Sequence, residues 1–412
     1  MKNMHTMMEE KKPSPPAKSI GESKSETKSP RGSLGRKVAR PARVSIEEKA
    51  QAKEHHRHGG VEGTAYKLSP AYTIPSQAAA GQKNEVFNLK YSPDGTHLAA
   101  ARSDGSVNVY NSFNGNEFAL LPAGGPNRSL PYMSVRWRPT TGSSTTNILL
   151  AVNVDGSIEH WHVNSKKRIN LIEEDSEVYC CDFSPDGSAF ATGGQDTTVK
   201  LWDEQSREAV ASLRANRSHV PGGGGEQAGH GNRIFAVKYH PDNENVLLSG
   251  AWDRTVQVWD LRSGRAERTI FGPLLTGDAL DVQGDRVLTG AFRNRDPLEL
   301  WDLGSARLIQ SVPWFQGHGE ESCRLMCARF SSGESAGLVA AGGCGVNEAR
   351  VFDRDRGLDR VARLAFPSGV YSLDFQPNGL RLAVGTEDGS IVVLNVEGNQ
   401  NKGEVPMSPF SP

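Results

Sequence analysis

A cluster of three histidines within residues 55–58 is the first place where the sequence could support metal chemistry. No cysteine or carboxylate accompanies these histidines at the spacing of a known zinc site. Their surroundings are rich in Lys, Ser, Pro and Glu, which is typical of a solvated tail. We therefore predict no metal site here.

The cysteines and the glycine run were considered next as carriers of chemistry. Cys323 and Cys327 stand four residues apart in a predicted strand entry, where packing is the simpler interpretation. The odd number of scattered cysteines favours free thiols and a reducing compartment. The glycine run at 221–225 lacks the Lys-Ser/Thr pair of a phosphate loop and is followed by no helical pattern. We therefore predict no cofactor, and we interpret the chain as a non-enzyme.

Aromatic and arginine side chains offer a more specific indication, because protein–protein hot spots are built from them. They fall in the turns of two successive repeats and in the loop that follows: Trp252, Phe292, Arg293, Arg295, Trp314 and Phe315. We predict that these residues form a partner-contact surface. The alternative, that Trp252 and Phe292 pack locally against loops, stays open.

These residues lie within a repeated pattern that begins at Val86. The first unit alternates apolar residues, turns at Ser-Pro-Asp-Gly, alternates again, turns at Asp-Gly and alternates a third time, which predicts a three-strand meander. The third strands end at positions roughly 41 to 57 residues apart: Tyr110, Trp161, Trp202, Trp259, Trp301, Phe352 and Leu394. The segments between units supply a fourth strand, so we expect seven four-stranded units.

The repeats resemble those of WD40 proteins over roughly residues 64–396. Trp-Asp dipeptides occur at Trp202, Trp259 and Trp301, and Gly-His dipeptides at 229–230 and 317–318. The resemblance implies an all-β, seven-bladed WD40 β-propeller that holds other proteins together. It also implies a buried hydrogen-bond chain of His, Ser or Thr, Asp and Trp in each blade. The fourth blade alone matches at all four positions: His230, Ser249, Asp253 and Trp259.

Domain boundaries follow from composition and from the repeats. We predict a disordered basic tail at 1–63, a propeller at 64–396 and a flexible tail at 397–412. The polar stretch after Leu394 leaves the last blade without an outer strand. By the habit of the family, residues 65–74 supply that strand and close the ring, which removes two exposed edges.

Charge is divided unevenly along the chain. Residues 1–60 carry 14 basic and 7 acidic side chains, whereas the remainder carries 33 basic and 41 acidic ones. A basic arm on an acidic body indicates an acidic partner, such as a tubulin surface, nucleic acid or anionic lipid. Within the tail, residues 45–54 begin with the S-x-x-E form of a capping box. This predicts a short helix that forms on a partner, with a charged solvated linker as the alternative.

Two classes of interaction protein remain compatible with these observations. Residues 271–281 look like a Gly-Pro…Gly-Asp-Ala-Leu-Asp segment of WD-repeat proteins from flagellated organisms. This favours a scaffold of a ciliary or flagellar axoneme, cytoplasmic and cytoskeletal, with its tail on tubulin and no membrane contact. The alternative is a soluble adaptor, either a ubiquitin-ligase substrate receptor or a nuclear or RNA-complex subunit. The longest basic patch, at 36–43, is interrupted by Pro41, so nucleic-acid binding is the weaker expectation.

Overall fold

The computed structural model describes residues 45–48, 66–78, 83–122, 130–140, 146–215, 228–312, 314 and 322–398. These residues form 29 β-strands and two single 3₁₀ turns, Val163–Ser165 and Gly333–Ser335. The strands are grouped into seven antiparallel sheets of four or five strands. The predicted all-β, seven-bladed propeller is therefore confirmed.

Each blade is a meander whose strands run from the inner to the outer side of the ring. Blade 1 comprises β3 (Val86–Tyr91), β4 (His97–Arg102), β5 (Ser106–Asn111) and β6 (Glu117–Pro122). Blade 2 comprises β7 (Tyr132–Trp137), β8 (Ile148–Asn153), β9 (Ser157–His162) and β10 (Lys167–Glu173). Blade 3 comprises β11 (Val178–Phe183), β12 (Ala189–Gly194), β13 (Val199–Asp203) and β14 (Ala209–Leu213).

The remaining blades repeat this order. Blade 4 comprises β15 (Ile234–His240), β16 (Asn243–Ala251), β17 (Thr255–Asp260) and β18 (Arg265–Phe271). Blade 5 comprises β19 (Leu280–Gln283), β20 (Arg286–Gly290), β21 (Leu298–Asp302) and β22 (Leu308–Val312). Blade 6 comprises β23 (Cys323–Phe330), β24 (Leu338–Gly345), β25 (Glu348–Asp353) and β26 (Asp359–Ala365). Blade 7 comprises β27 (Val370–Phe375), β28 (Arg381–Thr386), β29 (Ile391–Gly398) and β2 (Tyr66–Ile74).

The ring is closed by the strand that precedes the first repeat. β2 pairs antiparallel with β29, from Tyr66 opposite Gly398 to Ile74 opposite Ile391. Blade 7 is thus built from both ends of the propeller sequence, as predicted. Because the outer strand comes from far upstream, opening the ring requires breaking a whole strand pairing.

The segment predicted as a partner-induced helix is a strand instead. β1 (Ser45–Glu48) pairs antiparallel with β26 and becomes a fifth strand of blade 6. The S-x-x-E pattern describes only a local preference, whereas the edge of blade 6 offers unpaired backbone groups and an apolar contact for Ile46. The helix prediction was therefore wrong for these four residues. Residues 49–54 lie outside the described part of the chain.

The core consists of apolar layers between neighbouring blades. Alternation along each strand places buried residues on both faces of a blade, so every sheet packs on two others. One layer, for example, joins Val86 and Leu89 of blade 1 to Ala383 and Val393 of blade 7. Complete burial of such side chains contributes about 1.5–3 kcal/mol each for the larger ones. The layers hold the blades at fixed angles around the axis.

The meander order also assigns loops to the two faces of the ring. Turns between the second and third strands share one face with the connections that enter each blade, and we name this the turn face. Asp-Gly pairs form several of these turns, and Gly105 has a φ of +83°, which a residue with a Cβ adopts only with strain. Turns between the first and second strands, and between the third and fourth, lie on the opposite face.

Candidate functional site

The hydrogen-bond chain that the family resemblance implies for blade 4 is present in the structure. His230 Nδ1 is 2.9 Å from Asp253 Oδ2, and His230 Nε2 is 2.7 Å from Ser249 Oγ. The indole Nε1 of Trp259 donates to the same Ser249 oxygen at 2.8 Å. Burial raises the pKa of Asp253, but bonds from His230 and Thr255 outweigh it and leave that pKa below its ordinary value. The chain joins the turn face to the core of the blade.

Other blades anchor the equivalent third-strand residue with different partners. Trp202 donates to Thr192 at 2.9 Å, and Trp301 donates to Thr289 at 3.0 Å. In blade 1 the place of Trp is taken by Tyr110, whose hydroxyl accepts a 2.9 Å bond from the buried Arg102. Each substitution keeps a buried polar group satisfied, which is the condition for such a group to be stable.

Blade 3 has a small cleft where blade 4 has its histidine. Register places Glu174 at the position of His230, and the Lys200 ammonium bridges Glu174 and Asp196. Thr192 lines the same cleft. An ion pair replaces the imidazole here, so the two blades present different surfaces at the turn face.

The inner strands of the ring contribute a set of charged residues that sequence analysis missed. One charged side chain per blade occupies the same register position: Lys90, Arg136, Asp182, Lys238, Asp281, Arg329 and Asp374. Carboxylates of three blades accept backbone N–H bonds from the next blade, for example Asp182 from Tyr239 at 2.8 Å. We name these seven residues, together with Asp278, the charged hub.

Seven is an odd number, so opposite charges cannot alternate around the whole ring. The signs alternate from blade 2 through blade 7 and back to blade 1, but blades 1 and 2 then both present cations, Lys90 and Arg136. Asp278 supplies the missing negative charge from the segment just before β19. Its carboxylate lies 2.8 Å from Arg136, 3.2 Å from Lys90 and also contacts Arg329. The hub therefore holds four cations and four carboxylates.

Electrostatics of the hub follow from this balance. Burial would raise the pKa of Asp278, but Arg136, Arg329 and Lys90 outweigh it and hold that pKa well below the usual value. Burial and the nearby Arg329 lower the pKa of Lys90, against the pull of Asp278 and Asp374. A carboxylate surrounded by cations is a poor base, so the arrangement suits cohesion rather than proton transfer.

The predicted contact surface begins with Trp252 on the turn face of blade 4. Its indole is partly exposed and meets the ring of Phe235 edge-on, with centroids 6.1 Å apart. Phe235 in turn stacks on Tyr179 of blade 3 at 5.0 Å. This row continues from the exposed indole into buried rings, so Trp252 is held in one orientation.

Blade 5 continues the surface with a second partly exposed aromatic residue, Phe292. The guanidinium of Arg324, from blade 6, lies 4.8 Å from the centroid of this ring. Arg293 bonds to backbone carbonyls in its own turn and pairs with Glu299 at 2.5 Å. Arg295 is exposed. The structure thus brings Phe292, Arg293 and Arg295 together in one turn.

One of the predicted contact residues does not belong to this surface, and another cannot be placed. Trp314 is 1% exposed, and its Nε1 donates to Glu348 at 2.5 Å while Arg350 lies over its ring. It fills the core between blades 5 and 6, so its assignment to a contact surface was wrong. Phe315 lies outside the described residues.

Sequence reasoning overlooked Phe271, which is 73% exposed at the turn-face end of β18. The next residue, Gly272, accepts a 3.5 Å bond from Arg293, which places Phe271 beside the blade 5 turn. The signal in the sequence was the pair Ile270-Phe271, in which alternation buries one residue and exposes the other. We define the aromatic patch as Phe271, Trp252, Phe292, Arg293 and Arg295.

The possible sites of covalent or metal chemistry can now be assessed. The five cysteines form no disulfide, and four of them are buried. Burial raises the pKa of the Cys181 and Cys323 thiols to about 12, which disfavours thiolate chemistry. Across the described ranges, no group of three His, Cys, Asp or Glu side chains is arranged to hold a metal ion. Nor does this part of the chain contain a helix with the length and apolar character of a membrane span.

Comparison with protein-family models places known repeats on this ring. The model "WD domain, G-beta repeat" matches residues 166–203, 225–260 and 360–395. The model "Anaphase-promoting complex subunit 4 WD40 domain" matches residues 66–140. Each G-beta repeat match ends with the third strand of a blade, and the first and third begin in the outer strand of the blade before. A sequence repeat of this kind therefore contributes strands to two neighbouring blades.

Several curated proteins are similar to the chain at low identity. Serine-threonine kinase receptor-associated protein of Dictyostelium discoideum is 23% identical over 318 residues, covering 76% of this chain and 96% of that protein. Pre-mRNA-processing factor 19 homolog 2 of Arabidopsis thaliana is 24% identical over 302 residues, covering 71% and 51%. Mitochondrial division protein 1 of Kluyveromyces lactis is 28% identical over 199 residues, covering 41% and 26%. This chain therefore spans about half or less of the latter two proteins.

Three observations agree on the family. Family repeats match at four places in the sequence, the blade 4 hydrogen-bond chain joins His230 to Trp259, and seven blades close into a ring. The chain carries WD40 repeats and folds into a seven-bladed β-propeller.

Proposed function

We propose that the chain is a non-catalytic scaffold that binds a protein partner at the aromatic patch of the turn face. Propellers of this family bind other proteins and act in larger complexes. The observation that supports this location most is the fixed, partly exposed indole of Trp252. A side chain already held in one orientation loses little entropy on binding, so its apolar contact contributes more to affinity.

The composition of the patch supports the same proposal. Phe271 offers a largely exposed ring, and Arg295 offers an exposed side chain in the turn of blade 5. Aromatic residues and arginines dominate the energetics of protein interfaces, while the surrounding contacts mainly exclude water. An acidic or aromatic segment of a partner would complement these side chains.

The experiment is affinity purification of the tagged full-length chain from cells, followed by quantitative mass spectrometry. Trp252→Ala is compared with Phe113→Ala, which removes a ring that is 56% exposed on the opposite face. We expect Trp252→Ala to reduce recovery of the partner at least tenfold, because a central Trp contributes about 2 kcal/mol or more. Phe113→Ala should leave recovery unchanged. Full recovery with a correctly folded Trp252→Ala chain would refute the location.

We propose further that the partner complex is part of a ciliary or flagellar axoneme, with the basic N-terminal region on acidic tubulin. The charge division of the chain and the segment at 271–281 support this. Co-sedimentation of the full chain with microtubules should weaken steeply as salt is raised. A tagged copy that stays off the axoneme would count against this location.

A second candidate is a soluble adaptor of another complex, and the name of one relative favours it. Pre-mRNA-processing factor 19 homolog 2 aligns over 71% of this chain. In this case the basic region would contact RNA, and RNA would bind more tightly than microtubules across the same salt series. The two candidates thus give opposite orders of affinity in one experiment.

A further inference from the structure

The outer edge of blade 6 differs from the other outer edges in the described part of the ring. The outer strands of the other blades end their sheets, whereas β26 is covered by β1. The pairing extends over four positions, from Ser45 opposite Ala365 to Glu48 opposite Ala362. An outer edge exposes a row of unpaired N–H and C=O groups, which any extended segment can satisfy.

An apolar contact fixes the register of this added strand. Ile46 stands opposite Leu364 and packs against the apolar cluster between blades 6 and 7. That cluster also contains Leu68 of the ring-closing strand and Phe366. A shift by one residue would turn Ile46 away from the cluster, so the edge selects an aliphatic residue at this position.

Charge complements this apolar contact. β26 carries two arginines, Arg360 and Arg363, and Arg363 Nε is also held by Glu348 at 2.5 Å. Register places Glu47 opposite Arg363. Opposite charges at facing positions favour strand pairing. The edge is therefore suited to an aliphatic residue followed by an acidic one.

The pairing is short, and its stability depends on a tether. Four residues provide few hydrogen bonds, and isolated pairings of this size are marginal in water. Residues 49–65 connect β1 to β2, which lies in the adjacent blade. Linking two segments within one chain gives an effective concentration on the order of millimolar, so the pairing holds in one chain and can still exchange.

We propose that the outer edge of blade 6 is a strand-acceptor site for an extended partner segment in which an aliphatic residue is followed by an acidic one. The chain's own Ser45–Glu48 occupies this site until such a segment displaces it. Main-chain hydrogen bonds supply affinity, and the Ile46 position and Arg363 supply selectivity. This surface is separate from the aromatic patch and adds a second binding site to the ring.

The test uses full-length chains and a fluorescent peptide of residues 43–50. Ile46→Asp should free the edge, because an aspartate does not pack against the apolar cluster. Ile20→Asp is the matched control, since it makes the same change elsewhere in the N-terminal region. We expect the peptide to bind Ile46→Asp at least tenfold more tightly than it binds the wild type or Ile20→Asp. A peptide carrying Asp at position 46 should not bind.

Hydrogen exchange supplies the second measurement. In the Ile46→Asp chain, backbone amides of Asp359–Ala365 should exchange faster than in the wild type, and added peptide should restore their protection. Equal peptide affinity for all three chains, or no binding to the Ile46→Asp chain, would overturn the proposal. So would a wild-type dimer in light scattering, at twice the 44.6 kDa chain mass, that Ile46→Asp converts to a monomer. That outcome would mean that a second copy supplies the strand.

Discussion

Replacing Asp278 with Asn tests whether the charged hub holds the blades together. The substitution keeps the size of the side chain and removes its charge. The carboxylate contacts Arg136 at 2.8 Å, Lys90 at 3.2 Å and Arg329, and its side chain is 11% exposed. Without it, four cations face three carboxylates in a site that solvent barely reaches.

The expected loss of stability can be worked out from these contacts. Removing one partner from a buried ion-pair network costs about 3–5 kcal/mol, because the remaining charges are left uncompensated. Unfolding entropy is about 2.1 cal/mol/K per residue, so a ring of roughly 330 residues has about 0.7 kcal/mol/K. The melting temperature of Asp278→Asn should therefore fall by about 4–7 °C.

Differential scanning calorimetry at several pH values is the assay. Cations hold the pKa of Asp278 below 3.8, so its contribution to stability is present above that value and is lost as pH falls through the folded-state pKa. The difference between wild type and Asp278→Asn should therefore be constant near neutral pH and narrow below about pH 4. Asp175→Asn, at an exposed position, serves as the matched control and should change the melting temperature by less than about 1 °C.

Two results would refute this reasoning. One is an Asp278→Asn melting temperature within 1 °C of the wild type, which would mean that the carboxylate makes no net contribution to stability. The other is a double variant, Asp278→Asn with Arg136→Met, whose loss of unfolding free energy equals the sum of the two single losses. If the two side chains interact as the structure indicates, the double variant should be at least about 1 kcal/mol more stable than the sum of the single losses predicts.

Three further predictions address other parts of the ring. His230→Ala removes the hydrogen bonds to Asp253 and Ser249, so the unfolding free energy measured in denaturant should fall by about 2–4 kcal/mol; a fall below about 0.5 kcal/mol would contradict the role of this hydrogen-bond chain. Gly277→Ala would place a Cβ 2.4 Å from the carbonyl oxygen of Met326, so the backbone here must move. Calorimetry should show a larger fall in melting temperature for this variant than for Gly231→Ala, which adds a Cβ at an exposed position. Iodoacetamide at pH 7.5 should modify Cys344 first in the native chain, as followed by peptide mass spectrometry, because the other four thiols are buried; earlier labelling of a buried thiol would indicate local opening.

The repeat pattern made the ring predictable. Alternating strands and Asp-Gly turns in phase with residues such as Trp202 and Trp259 specify meanders, and each meander must bury two faces, so stacking follows. The closing strand Tyr66–Ile74 was predictable for the same reason, because the last repeat lacked an outer strand. Both inferences depend on strand and turn patterns that recur in every repeat.

The failures arose where tertiary contacts decide the outcome. A capping-box pattern predicted a helix at Ser45, but an available sheet edge and an apolar contact for Ile46 favoured a strand. Trp314 looked like an exposed loop residue, yet it fills a gap between two blades. Neither outcome can be read from neighbours along the sequence, because the deciding groups are hundreds of residues away or on another blade.

The charged hub had a signal in the sequence that was not used. A charged residue precedes an aromatic one near the end of most inner strands, as in Lys90-Tyr91, Arg136-Trp137 and Asp182-Phe183. Because a charged residue recurs at this place in all seven repeats, the sequence indicates one shared position whose side chains face the axis of the ring. The role of Asp278 could not be derived in this way, since it lies outside the repeat and depends on the ring having an odd number of blades.

Hydrogen-exchange footprinting of the full-length chain with its purified partner tests the account most directly. We predict that protection concentrates in the turns that carry Trp252 and Phe292 and at Phe271, with the opposite face around Phe113 unchanged. Protection confined to the opposite face, or spread evenly over the outer strands, would contradict the claim that the propeller binds its partner through the aromatic patch.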